Sequence, residues 1–305
     1  MMNARSFRRG PYPRAGEGAR VAKRHVESPQ TKSPSYKLAF QDEDLLLRDE
    51  LRPVRLQLEL LKPELIQTEQ GIESTIVIFG SSRIPDPESA GRQLESIQAE
   101  AEMNPFDSVL VKKLEMAQRA LANSRYYEEA RTLARLISES CQCSDKATYV
   151  VTTGGGPGIM EAANRGAHDA KAKSIGLNIV LSYEQTPNPY ITPDLSFQFH
   201  YFAIRKMHFL MRARALVVFP GGFGTMDELF ETLTLVQTHK IEPIPILLFG
   251  KDFWQRIIDF DALVEEGTIS PEDLDLFRYV ETAEEAWKFL KSADPVLHEI
   301  VMNHP

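Results

Sequence analysis

The chain has 305 residues, 43% of them hydrophobic and 26% charged, with 43 Asp+Glu against 35 Lys+Arg and a formal charge of -8. Such a length and apolar content can supply one large core or two modest ones, and they exclude disorder throughout. The acidic balance argues against nucleic acid as a partner.

No run approaches the roughly 18–20 apolar residues of a membrane helix, and the basic start lacks the apolar core of a secretory signal, so no membrane partner is expected. Cys141 and Cys143 stand too close together to staple a fold and lack CxxC or metal-site spacing. A reducing, cytoplasmic setting fits them.

Residues 1–35 carry eight Lys/Arg and two acidic residues, Glu17 and Glu27, among prolines, glycines and serines. Residues 1–41 therefore read as a flexible basic leader, with an arm for anionic partners as the alternative. Over residues 42–73, leucines recur from Leu45 to Leu65 around Pro53 and Pro63. This predicts a leucine-rich helical extension, either two short amphipathic helices or one helix broken at the prolines. Its apolar face needs cover from the main domain or from a second subunit.

A change of pattern opens residues 74–292. Thr75 to Phe79, TIVIF, is a continuous β-branched and aromatic run, the signature of a strand buried on both faces. Similar runs follow at 148–151, 177–181, 215–219 and 244–249, with helical patterns at 127–138 and 159–170 between them. Alternating strands and helices predict an α/β fold: a doubly wound, Rossmann-like parallel sheet with helices on both faces, joined by right-handed crossovers, plus the added N-terminal helices. Within it, residues 86–124 read as an inserted helical hairpin with a solvated, charged face. A helix is predicted over 283–290, with Ala286, Trp287 and Leu290 inward, and residues 293–305 read as a tail.

Open α/β sheets bind ligands beyond the carboxyl ends of their strands, and both glycine-rich segments of the chain fall there. In the first, Thr152, Thr153, Gly154, Gly155, Gly156, Pro157 and Gly158 follow a buried strand and open a helix. Backbone N–H groups can converge there on a phosphate, or the segment merely turns strand into helix. It is neither a GxGxxG fingerprint, since Ile159 stands where the third glycine belongs, nor a GK[ST] P-loop. The second, Gly221, Gly222, Phe223, Gly224 and Thr225, leads into Asp227, Glu228 and Glu231. Thr225 can offer hydroxyl and N–H to a phosphate. Glu228 and Glu231, three apart, share a helix face, while Asp227 is expected to point elsewhere. These acids either reach a ligand or are solvated and complement the helix dipole.

Arg205 and Lys206 interrupt an aromatic and apolar stretch, as a phosphate clamp or as an exposed edge of an amphipathic helix. Gly80 and Ser81, directly after the first strand, read as nucleotide contacts; without GxSxG, Ser81 is no activated nucleophile. His168, His200 and His208 lack metal-site spacing, so no metal is implied.

Taken together, GGGPGIMEAA, the Arg205-Lys206 pair and PGGFGTMDE closely resemble the LOG family, once widely labelled lysine decarboxylases. The resemblance spans residues 74–250 and continues more loosely to 290. It implies a phosphoribohydrolase that releases a free base and ribose 5-phosphate from a nucleoside 5′-monophosphate, cytokinin ribotides or ordinary nucleotides. By the same resemblance Arg205 and Glu228 match the catalytic pair. The phosphate and substrate contacts it implies fall at Gly154, Gly155, Gly156, Gly158, Gly221, Gly222, Gly224 and Thr225, with Lys206, Glu231, Gly80 and Ser81 beside them. A homodimer and no cofactor are implied; no pyridoxal constellation is identified. The competing class is a nonhydrolytic nucleotide-binding or carrier protein on the same scaffold.

Overall fold

Strand residues apolar at every position belong where both faces of a sheet are covered, and the run TIVIF forms such a strand. In the computed structural model, which describes residues 14–104, 106–142, 147–181 and 186–303, β1 (Thr75–Phe79) is buried throughout. β2 (Val150–Thr153), β3 (Ser174–Ile179), β4 (Ser196–Phe199), β5 (Ala213–Val218), β6 (Ile246–Phe249) and β7 (Arg278–Val280) complete the sheet. Its order is β4-β3-β2-β1-β5-β6-β7, and every neighbouring pair is parallel. The fold is the doubly wound α/β architecture that the strand and helix order predicts.

The helices, in chain order, are α1 (Ala15–Ala22), α2 (Glu43–Leu46), α3 (Arg52–Glu69), α4 (Pro87–Met103), α5 (Ser108–Asn123), α6 (Arg125–Cys141), α7 (Ile159–Asp169), α8 (Phe202–Leu210), α9 (Phe223–Gln237), α10 (Lys251–Ile257), α11 (Phe260–Glu265), α12 (Ala283–Ala293) and α13 (Pro295–Asn303). Strand alternation divides the core between the two faces. Ile76 and Ile78 pack with Tyr127, Leu133 and Ile137 of α6, Ala163 of α7 and Trp287 of α12. Val77 and Phe79 turn the other way, toward Phe209 of α8, Leu229 and Val236 of α9 and Trp254 of α10. Each such fully buried aliphatic side chain stabilises the fold by roughly 1.5–3 kcal/mol.

The insertion predicted at 86–124 is the pair α4 and α5. Asp86 caps α4 by accepting from Ser89 N at 2.9 Å, and Asp107 caps α5 by accepting from Val109 N at 2.8 Å. Two strands escape the sequence pattern. β4 is an edge strand that buries Phe197 and Phe199 while exposing Ser196 and Gln198, an alternation too short to stand out; β7 has three residues. The expected tail from 293 holds α13, with Leu297 buried.

The chain parts into two compact units at Leu58 and Glu59. In the first, residues 1–13 of the expected leader lie outside the described residues, and α1 follows them. Asp42 caps α2, and Arg55 Nη1 donates to the carbonyls of Leu46 and Arg48 at 2.7 and 2.6 Å. In the leucine-rich segment neither proline ends a helix, which corrects the expected break. Pro53 occupies the first turn of α3, where no intrahelical N–H is needed. Pro63 lies inside α3 and deprives the Glu59 carbonyl of its usual donor; His208 Nε2 takes that place at 3.2 Å. Among the described residues no helix is long and apolar enough to cross a membrane, and Cys143 lies outside them.

Candidate functional site

The strand order reverses between β1 and β5, so the loops leaving their carboxyl ends open a crevice at the switch point. The backbone of Ser81 joins the two glycine segments there. Its N–H donates to Pro220 O at 3.0 Å, and its carbonyl accepts from Ile159 N at 3.1 Å. Ser81 Oγ is occupied within its own turn, accepting from Arg83 N. Gly80 is small because Ile159 leaves no room: a Cβ would lie 2.6 Å from its Cγ2. Both residues thus brace the crevice.

Around the first glycine loop a buried polar network replaces the missing side chains. Thr153 Oγ1 donates to Asn164 Oδ1 at 2.7 Å and accepts from Gly155 N at 3.0 Å. Asn188 Nδ2 donates to Gly156 O at 3.1 Å and to Asn164 Oδ1 at 2.9 Å, and Asn164 Nδ2 reaches Ser174 Oγ at 3.0 Å. Gly155 and Gly158 hold left-handed φ values of 76° and 71°. The backbone of the loop is therefore fixed before any ligand arrives.

Arg205 meets this loop from α8. Its Nε donates to Leu177 O at 2.7 Å, and the guanidinium lies 5.0 Å from the Phe209 ring centre. A Cβ on Gly154 would stand 2.8 Å from Nη2, so glycine is what lets the guanidinium approach the loop. Burial lowers the Arg205 pKa and the nearby Glu228 carboxylate offsets part of that shift. Of the two readings for this residue, the exposed edge of an amphipathic helix does not hold.

The second glycine segment opens α9. Gly222 provides no side-chain cap, and the first ladder bond runs from Met226 N to Gly222 O at 3.0 Å. The N–H groups of Phe223, Gly224 and Thr225 precede that ladder. Thr225 is buried and packs against Gly221, whereas a Cβ on Gly222 or Gly224 would meet nothing within 4 Å. Packing within the chain thus explains Gly221 and leaves Gly222 and Gly224 facing open space.

Behind this terminus the acids separate in an unexpected way. Asp227 does not point elsewhere: one turn apart on α9, it and Glu231 both hold Lys206 Nζ, at 2.9 and 3.1 Å. Although burial opposes it, these two partners lift the Lys206 ammonium above its ordinary range. Glu228 turns inward and is 6% exposed. Burial pushes its carboxyl up to about 7, against the pull of Lys206 and Arg205 and with the help of Glu231 and Asp227. A carboxyl poised near neutrality between two cations can change protonation state where an ordinary glutamate could not.

A family model described as possible lysine decarboxylase matches residues 160–290. The cytokinin riboside 5′-monophosphate phosphoribohydrolase LOG3 of Arabidopsis thaliana is 30% identical over 156 residues, covering 50% of this chain and 70% of that protein. The chain belongs to the LOG family of phosphoribohydrolases. LOG4 of the same plant gives the same identity and coverage. Among solved structures, the molybdenum cofactor carrier protein of Chlamydomonas reinhardtii aligns with 72% of this chain and 98% of its own at 16% identity, with a TM-score of 0.40.

In this LOG-family chain Thr153 stands at the head of the first glycine segment, whereas the sequence pattern did not single out Asn164 and Asn188. Asn164 carried a signal, a polar residue on the helix face shared by Ile159, Ala163 and Ala167, all of them buried. Asn188 and the Leu177 carbonyl carried none, because chain folding alone brings them to the loop.

Proposed function

We propose that this LOG-family protein hydrolyses the N-glycosidic bond of nucleoside 5′-monophosphates, releasing a free base and ribose 5-phosphate. The observation that carries the reading is Glu228, a buried carboxyl between Arg205 and Lys206 beside a helix N-terminus with open glycines. In this reading the 5′-phosphate rests on the N–H groups of Phe223, Gly224 and Thr225, where the helix dipole favours an anion, with the loop from Gly154 to Gly158 as the facing wall.

As the C1′–N bond breaks, its electron pair leaves with the base and positive charge develops on the ribose. The Glu228 carboxylate opposes that charge in a site shielded from water, where a fixed ion acts far more strongly than in bulk solvent. Water then adds to C1′, one proton ending on the departed base. Arg205 orients the phosphate or balances charge on the leaving side. Lys206, tied to Asp227 and Glu231, holds α8 and α9 in register and keeps Glu228 from rising further. A decarboxylase role for it has no support, since a Schiff-base lysine requires a free amine and Lys206 is held protonated.

A homodimer and a cytoplasmic location complete the reading. Apolar side chains exposed on helices, Leu61 and Leu65 of α3 and Phe223 and Phe230 of α9, support the dimer. Light scattering and cell fractionation test the two. The activity itself is tested by incubating a panel of nucleoside 5′-monophosphates, purine, pyrimidine and N6-prenylated adenine, and following base release by chromatography, with Glu228→Gln and Arg205→Ala beside the parent. Parental turnover in both folded variants removes these residues from the mechanism.

A further inference from the structure

The second half of α3 grips α8, the helix that carries Arg205 and Lys206. Both oxygens of the Glu59 carboxylate accept backbone N–H groups of the two residues that lead into α8, from His200 at 2.8 Å and from Tyr201, its N-cap residue, at 3.0 Å. The helix has no side-chain cap of its own. Through the carbonyl released by Pro63, Glu59 also holds His208 near the other end of α8. Five residues further along α3, Glu64 pairs with Arg212 through both oxygens, at 3.1 and 2.9 Å, and Arg212 continues to Thr68 Oγ1 and to the Ile72 carbonyl.

A helix of nine residues has few ladder bonds of its own, so its position depends on its ends. An anion at its N-terminus satisfies orphan donors and complements the dipole. We propose that Glu59 is a positioning residue, whose carboxylate caps α8 and so sets Arg205 and Lys206 against Glu228. Glu59 touches no reacting atom; it acts through the helix. The consequence for rate rests on the phosphoribohydrolase reading above, whereas the consequence for Glu228 does not.

Glu228 reports the position of α8 because the charges it senses are Arg205 and Lys206 of α8 and Asp227 and Glu231 of its own helix. If α8 drifts outward, the two cations withdraw and the two acids stay. The carboxyl then titrates higher.

The test is a carbon-13 NMR titration of the Glu228 carboxyl, assigned by its loss in Glu228→Gln, in the parent, Glu59→Ala, Glu59→Gln and the control Glu69→Gln, an exposed acid on the same helix. Expected is a midpoint raised by about half a unit to one unit in Glu59→Ala, a smaller rise in Glu59→Gln, which keeps one acceptor without the charge, and none in Glu69→Gln. Turnover in the parent is expected to fall roughly tenfold in kcat on Glu59→Ala with KM changed far less, since displacing a catalytic group by ~1 Å costs up to about a hundredfold.

An unshifted Glu228 midpoint in folded Glu59→Ala overturns the proposal, and so does a shifted midpoint with parental kcat. Should alanine prevent folding, Glu59→Gln is read by the same criteria. A parent that releases no base refutes the phosphoribohydrolase reading, while the titration still decides whether Glu59 positions α8.

Discussion

Replacing Gly154 with alanine is expected to move Arg205 while leaving the fold in place. The new methyl would stand 2.8 Å from Arg205 Nη2 and 2.8 Å from Met160 Sδ, where ordinary contact begins at 3.4 Å. Both neighbours are ends of flexible side chains, and Gly154 lies outside the left-handed region, so alanine fits its backbone. Met160 can swing away. The guanidinium must retreat by about 0.6 Å, against the hydrogen bond that holds Nε to Leu177 O at 2.7 Å. Local overpacking of this kind costs about 1 kcal/mol of stability. Because a shift of ~1 Å in a catalytic group costs up to about a hundredfold, kcat should fall by roughly ten- to fiftyfold. The assay pairs base release at saturating nucleotide with thermal unfolding of the same sample. Gly222→Ala, whose methyl meets nothing within 4 Å, supplies the contrast: an unchanged melting temperature and a raised KM. Folded Gly154→Ala with kcat within twofold of the parent would refute the claim that the position of Arg205 governs turnover.

Protonation of Glu228 gives a second expectation. Its carboxyl titrates at about 7 in the folded chain against an ordinary 4.5, so its contribution to stability is complete below pH 4.5 and is lost as pH rises through about 7. Glu228→Gln should abolish that slope in denaturant unfolding and exceed the parent at pH 8 by on the order of 1–3 kcal/mol. With the carboxylate as working form, kcat/KM of the parent should climb about tenfold per unit below pH 7 and level off above it. Gly155→Ala forces a side chain into φ 76° against Asn178 and should lose on the order of 1–3 kcal/mol, seen as a lowered melting temperature. Asn164→Ala takes one buried hydrogen bond from each of Thr153, Asn188 and Ser174 and should cost about 2–3 kcal/mol in equilibrium unfolding.

The core of the sheet was legible because its strands carry their burial in their composition. Thr75 to Phe79 has no polar alternation, and a run of that kind fits only where helices cover both faces. The edges were not legible: β4 shows two inward phenylalanines, and β7 is held by its neighbour more than by its own pattern. At the site, local motifs pointed to the glycine loops and to Arg205, Lys206, Glu228 and Glu231, and the structure draws these together around the β1 and β5 loops. Orientation was less accessible. Asp227 and Glu231 share Lys206 while Glu228 turns inward, a choice made by how α9 packs on the sheet. Glu59 lies 141 residues from His200 and nothing in its surroundings marks it as a cap.

The central claim is that water cleaves the bond between ribose C1′ and the base. It is tested most directly by running the reaction in oxygen-18 water and analysing the products by mass spectrometry. The account predicts free base and ribose 5-phosphate in equal amounts, with the label on the sugar and none in inorganic phosphate. Nucleotide recovered intact, or nucleoside with labelled inorganic phosphate, would contradict it.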